Sequence, residues 1–241
     1  MVRAAAVFPR AISLSDQVHV VRIALDAYGD GAALEPLLDD EERVRAARFR
    51  QSYHRRRFIA AHALARVALS SCLHVPPAAL RFTTGPHGKP AIAGHGDAQY
   101  SLSHSGERAV VAITRECAVG VDIEQIRPID ALEISGRFFS YAERTALASV
   151  HTGDLLAAFF RCWTRKESFI KATGDGLSFP LDGFDVSIDE GVANALQNIH
   201  IDSRETSRWT IVPLAADDGY VASLTIEGRQ PDVASWDAPA L

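Results

Sequence analysis

Residues 18–26, VHVVRIALD, alternate between apolar and polar positions and predict a half-buried strand. Acidic residues from Asp39 to Glu42 then mark a helix start, and a polar helix is expected to run to about Gln51. A second helix is expected over 53–73, where Phe58, Leu64, Ala65, Ala68, Leu69 and Cys72 approximate one apolar stripe. Pro76 and Pro77 end it. Strand-like pieces follow near Leu80–Thr84, Ala98–Ser103 and Ala109–Thr114, with a loop rich in Gly, His and Pro between the first two. The second half opens on a strand, VGVDIEQI at 119–126. Helices are expected at about 130–139, 140–150 and 154–173, then strands at 184–188, 198–202, 208–214 and 220–226, and an irregular tail after Gly228.

Each half thus reads as a strand, then helices, then about three strands. No residue-level repeat is visible, so duplication is suggested by element order alone. The expected fold class is α+β: two pseudo-symmetric subdomains, 1–117 and 118–241, with a cleft between them of the kind that holds ligands.

Composition narrows the functional classes. Of the 241 residues, 47% are hydrophobic and 23% charged, the mix of a soluble globular protein. No apolar run approaches the ~20 residues of a membrane span. The AAAVF stretch is too short for a secretory signal, so a cytoplasmic protein with no membrane partner is expected. Cys72, Cys117 and Cys162 lie far apart and never as C-x-x-C, which points to buried thiols rather than zinc ligands or disulfides. The net charge of −5 argues against a general nucleic-acid binder. Only three of the 25 basic residues are lysine, namely Lys89, Lys166 and Lys171. A lysine retained in an arginine-rich chain hints at a place that wants a compact ammonium.

Four segments carry candidate chemistry. In GVDIE, 120–124, Asp122 and Glu124 are two apart on a strand and share a face. Two adjacent carboxylates suit a hard cation, Mg²⁺ or Mn²⁺, although a solvated strand edge gives the same pattern. In WTRKESFIKATGDGL, 163–177, Trp163, Glu167 and Lys171 fall on one helical face. Glu167 and Lys171 read either as a surface ion pair or as a carboxylate and an ammonium offered together to a metal-bound phosphate. Gly174 and Gly176 mark the helix end. In SLSHSG, 101–106, hydroxyls, an imidazole and turn amides can donate to phosphate, and a plain structural turn fits equally. In HGKP, 87–90, Lys89 sits on a stiff turn that lacks Walker A spacing. Eight arginines between 43 and 66 add a local basic surface, or a solvated helix face.

Taken in order, RF at 48–49, HRRRFIAAHALAR at 54–66, GKP at 88–90, SLSHSG at 101–106, GVDIE at 120–124, RFFSYAE at 137–143 and WTRKESFIKATGDGLSFPL at 163–181 resemble the Sfp-type 4'-phosphopantetheinyl transferases. The resemblance implies two α+β halves, coenzyme A as co-substrate, and transfer of its 4'-phosphopantetheine arm to a serine of acyl or peptidyl carrier domains, as in nonribosomal peptide and polyketide synthesis, with release of 3',5'-ADP. It implies that Asp122, Glu124 and Glu167 hold Mg²⁺, with Glu167 as base or only as ligand. Lys171 pairs with the pyrophosphate, to which Asp122 also belongs, and Lys166 is a neighbour. Ser103, His104 and Arg45 bind the 3'-phosphate, and Gly88, Lys89 and Pro90 frame the adenine and ribose. All three lysines then lie in motifs expected to face phosphate. Glu143 matches a family position without an assigned role. Glu42 stands where the pattern has a second basic residue, and Arg43 is its candidate substitute. The N-terminal half is expected to serve the 3'-phosphate and adenine, and the C-terminal half the metal and the catalytic helix. Acidic carriers are expected to dock on the Arg43–Arg57 helices or on the Phe138, Phe139, Tyr141 stretch, and a monomer is expected. A Mg²⁺-dependent pyrophosphohydrolase and a non-catalytic coenzyme A or carrier-binding module are the alternatives.

Overall fold

The computed structural model describes residues 6–9, 12, 14, 17–228 and 231–239. In chain order the strands are β1 (Ala6–Val7), β2 (Gln17–Ala24), β3 (Phe82–Thr84), β4 (Pro90–Ile92), β5 (Ala98–Ser105), β6 (Arg108–Arg115), β7 (Val119–Gln125), β8 (Phe184–Val186), β9 (Leu196–Ile199), β10 (Trp209–Leu214), β11 (Tyr220–Glu227) and β12 (Asp232–Asp237). The helices are α1 (Asp40–Ala47), α2 (Ser52–Leu73), α3 (Ala131–Phe138), α4 (Tyr141–Ala148) and α5 (Leu155–Thr173). The chain forms two compact units. One holds the residues up to Thr83, Pro90–Glu116 and the segment from Asp232. The other holds Thr84–Lys89 and Cys117–Pro231.

The first unit is built on a sheet of order β1-β12-β2-β6-β5. β2 runs antiparallel to β6, and β6 to β5, while β12 lies parallel to β1 and β2. The expected stripe of α2 is buried, and its run of alanines lets the helix pack closely with Val21, Ile23, Val111 and Ile113 of the strands. α1 starts at a capping box: the Asp39 side chain accepts from Glu42 N, and Glu42 reaches back to Asp39 N. It ends at Ala47 rather than near Gln51. Only Glu42 and Ala46 are buried on it, so no apolar face extends so polar a helix.

The second unit carries a sheet of order β10-β11-β7, all antiparallel, and a small β8-β9 pair. Both units therefore place the opening strand beside the last strand of a hairpin, β2-β6-β5 in one and β7-β11-β10 in the other. The fold is α+β with two units of like topology. An aromatic cluster fills the second core: Phe139 and Trp163 stack on Phe159, and Phe169 packs on Phe184 and Trp209.

Three expectations are corrected. The tail is not irregular: β12 occupies Asp232–Asp237, although Arg229, Gln230 and the last two residues lie outside those described. The strand expected at 198–202 is β9 at Leu196–Ile199, because the Asp202 side chain caps a 3₁₀ turn over Ser203–Arg208. Cys72 and Cys162 are buried thiols, whereas Cys117 is only half-buried.

Candidate active site

α5 lies against β7 and β11, and glycine makes that approach possible. A Cβ on Gly120 would stand 2.0 Å from Ser168 O and 2.4 Å from Ala172 N, so only hydrogen fits between strand and helix. Two hydroxyl pairs fix the contact: Thr164 with Ser223 at 3.0 Å and Ser168 with Thr225 at 2.8 Å. Asp122 faces Ser223 in the ladder and Gly120 faces Thr225. Asp122 and Glu124 thus continue along β7 from the glycine, on the side that α5 covers.

Asp122 is buried, and Glu124 and Glu167 are half-buried. Lys171 Nζ donates to Asp122 Oδ1 at 2.6 Å. Burial first, and the charge of Asp122 next, push the Glu167 carboxyl above its ordinary range. Lys171 pulls the other way, and Glu124 adds to the rise. The structure therefore brings Asp122, Glu124, Glu167 and Lys171 into one electrostatic neighbourhood. Among the described residues, no three His, Cys, Asp or Glu side chains form a ready-made ion cage. The donor set itself is all oxygen and anionic, which fits a hard divalent cation that keeps waters and substrate oxygens among its ligands.

Lys89 belongs to the same unit. Its Nζ donates to Ala172 O at 2.7 Å and Val119 O at 3.3 Å, so it ties the Thr84–Lys89 loop to the end of α5 and the start of β7. Burial lowers its ammonium to about 8. Gly88, at φ 91°, makes the preceding turn, which Gly85 N closes on Lys89 O at 2.8 Å, and Pro90 opens β4. α5 ends as expected on Gly174, left-handed at φ 78°. In the first unit, Ser103 is buried and His104 exposed near the end of β5. Arg45, in the last turn of α1, lays its guanidinium 5.3 Å from the Phe58 ring centroid.

Several motif residues are architectural. Lys166 is fully buried and bonded to Glu143, Leu181 O and Phe184 O, so it does not face phosphate. Glu42 is buried against Arg66 at 2.6 Å and His62 at 3.2 Å, which is why an acidic residue stands there. Arg66, fully buried, also bonds Asp39, Pro77 O and Leu80 O. Much of the arginine cluster is internally neutralised: Arg43 by Asp40, Arg55 by Glu35, and Arg56 and Arg57 by Asp26. Sequence reasoning assigned no role to Glu143 and treated Glu42 as a lost ligand. The D-x-x-E at 39–42 and S-x-x-E at 140–143 were the signal, since both are capping boxes in the structure.

Residues 118–225 match the 4'-phosphopantetheinyl transferase superfamily, and residues 32–116 match the family described as 4'-phosphopantetheinyl transferase, N-terminal. The chain is 33% identical over 225 residues to the 4'-phosphopantetheinyl transferase HetI of Nostoc sp., covering 91% of this chain and 92% of that one. It is 35% identical over 153 residues to the 4'-phosphopantetheinyl transferase Sfp of Bacillus subtilis, covering 64% and 67%. The chain belongs to the Sfp-type 4'-phosphopantetheinyl transferase family. It is an enzyme that takes coenzyme A as substrate and transfers the phosphopantetheine group to carrier proteins, and neither a pyrophosphohydrolase nor a non-catalytic module is favoured. No described helix is long and apolar enough to cross a membrane.

Proposed function

We propose that the transfer is magnesium-dependent and centred on Asp122, Glu124 and Glu167, with Lys171 as the cationic partner of the pyrophosphate. What supports this reading is the placement of the acids: Asp122 and Glu124 share the face of β7 that α5 covers, Lys171 Nζ reaches Asp122 Oδ1 at 2.6 Å, and the charges of Asp122 and Glu124 act on Glu167 from there. Three such carboxylates repel one another, and a divalent cation relieves that repulsion. Magnesium bound there, or manganese in its place, supplies stabilisation of charge on the phosphate oxygens. Glu167 accepts the proton of the carrier serine hydroxyl, directly or through a water, or serves only as a ligand of the cation. The serine oxygen bonds to the pantetheine-bearing phosphorus as the pyrophosphate P–O bond breaks, and 3',5'-ADP departs with its new charge met by the Lys171 ammonium.

Arg45, Ser103 and His104 bind the 3'-phosphate. Gly88, Lys89 and Pro90 frame the adenine and ribose, and Lys89 does so while its ammonium is held by Ala172 O and Val119 O. The carriers served are acidic acyl or peptidyl carrier domains, and the enzyme acts as a cytoplasmic monomer. For docking, the α3–α4 corner is favoured over the Arg43–Arg57 helices, whose charges are largely paired. Leu132, Phe138 and Tyr141 are exposed there, whereas Phe139 is buried on Phe159.

Mass spectrometry of an apo carrier incubated with coenzyme A and Mg²⁺ tests the reading. A gain of one phosphopantetheine is expected. It should vanish with a chelator and in Asp122→Asn, and transfer undiminished under either condition would sink the proposal.

A further inference from the structure

We propose that the buried Glu143–Lys166 pair is a positioning device that sets the roll of α5 and thereby aims Glu167. The inference rests on the reading of Glu167 as a group at the reacting centre. Lys166 has no solvent exposure, and its three donors meet three acceptors: Glu143 Oε1 at 2.7 Å, Leu181 O at 2.7 Å and Phe184 O at 2.8 Å. The ammonium also lies 4.1 Å from the Phe184 ring centroid. Glu143 is equally committed. Its Oε1 also accepts from Val186 N at 2.8 Å, and its Oε2 accepts from Ser140 N at 2.9 Å in the capping box of α4. The middle of α5 is thereby tied to the start of α4 and to the segment from Leu181 to Val186.

Lys166 and Glu167 are consecutive on a helix, so their side chains diverge by about 100°. Locking one fixes the direction of the other. On the opposite side, α5 meets the sheet through the neutral Thr164–Ser223 and Ser168–Thr225 pairs. With side-chain tips roughly 5–6 Å from the axis, a roll of about 10° moves the Glu167 carboxyl by about 1 Å. A misplacement of that size can cost on the order of 100-fold in rate. A buried ion pair contributes little net stability compared with apolar residues of the same volume. What the charges add here is a set of directed bonds that allows one roll angle.

The test compares Lys166→Met, the double variant Lys166→Met/Glu143→Gln, and Glu167→Gln in the carrier assay, with Tm measured for each. Lys166→Met alone leaves a buried carboxylate uncompensated and lowers Tm. In the double variant most of the Tm returns, but kcat stays about tenfold or more below wild type while KM for coenzyme A remains within about two-fold. If kcat recovers along with Tm, the pair is merely structural and the proposal is overturned. Should the double variant not fold, Glu143→Gln alone decides, assayed well below its Tm: a kcat loss at unchanged KM supports the proposal, and an unchanged kcat overturns it. Full activity in Glu167→Gln would instead overturn the reading of the site itself, so the two failures are distinguishable.

Discussion

Glu167 is an acid whose folded-state affinity for protons is raised by burial and by Asp122. Below the ordinary carboxylate value of about 4.3, the group is protonated in folded and unfolded chains alike and costs nothing. As pH rises from there to the folded value, the unfolded chain has lost a proton that the folded one keeps, so stability falls. Above the folded value the full cost persists. Glu167→Gln should therefore raise the Tm of chelator-treated protein at pH 7–8, and the gain should shrink as pH drops toward 4. The same variant should lose on the order of 100-fold or more in kcat. A lower Tm at neutral pH would count against the electrostatic account. Carboxylates elsewhere in the chain meet other fates. Asp122 and Glu124 were legible from their spacing on a strand, and Glu42 and Glu143 were open to reading as capping residues. The ion partners of those two were not legible, because Arg66 lies 24 residues from Glu42 and Lys166 lies 23 from Glu143, and sequence periodicity reaches only a turn or two.

Elements with their own periodicity were the easiest to read. α2 and α5 follow their apolar stripes, and α5 stops at its glycine. Where an element's end depends on distant packing or on a single cap, as at Ala47 and Asp202, the sequence reading slid by a few residues. The Thr84–Lys89 loop shows the same limit. Its Gly-Lys-Pro turn was legible, but the docking of Lys89 on Ala172 O, 83 residues away, was not. That docking has a pH signature. Burial lowers the Lys89 ammonium to about 8, with Glu227 opposing slightly, against about 10.4 in an unfolded chain. Between those values the unfolded state holds a proton that the folded state has released, so this group makes stability rise with pH. In Lys89→Met that contribution is gone. The stability of wild type relative to the variant should climb between about pH 8 and 10.4 and be level below pH 7. Parallel urea-denaturation curves across that range would show that the ammonium is not desolvated as the structure implies.

For the molecule as a whole, the least legible feature is the return of the chain to its first unit. The segment DVASWD has no strong alternation, and its pairing is parallel and joins residues more than 200 apart in sequence. β12 nevertheless lies inside the sheet, between β1 and β2, with Asp232 opposite Gln17 and Asp237 opposite Arg22. Side chains reinforce the ladder. Arg22 pairs with Asp237 at 2.8 Å, Tyr28 Oη donates to Pro239 O at 2.9 Å, Trp236 Nε1 donates to His19 Nδ1 at 3.3 Å, and Phe8 meets Trp236 edge-on. Removing residues 232–241 opens one edge of β2 along its length and strips these contacts, which leaves a strand edge prone to pairing with other chains. The expected result is a Tm lowered by more than about 5 °C, since each lost kcal/mol shifts a domain of this size by several degrees. Hydrogen exchange should quicken in β2 and β6 while β7, β10 and β11 keep their protection, because their ladder and aromatic core do not involve β12. Arg45, Ser103 and His104, proposed above to hold the 3'-phosphate, belong to the weakened unit, so on that proposal KM for coenzyme A should rise more than kcat falls. Unchanged exchange in β2 would mean that the tail decorates the first unit rather than completing it. Equal quickening in β7 would mean that the two units unfold as one.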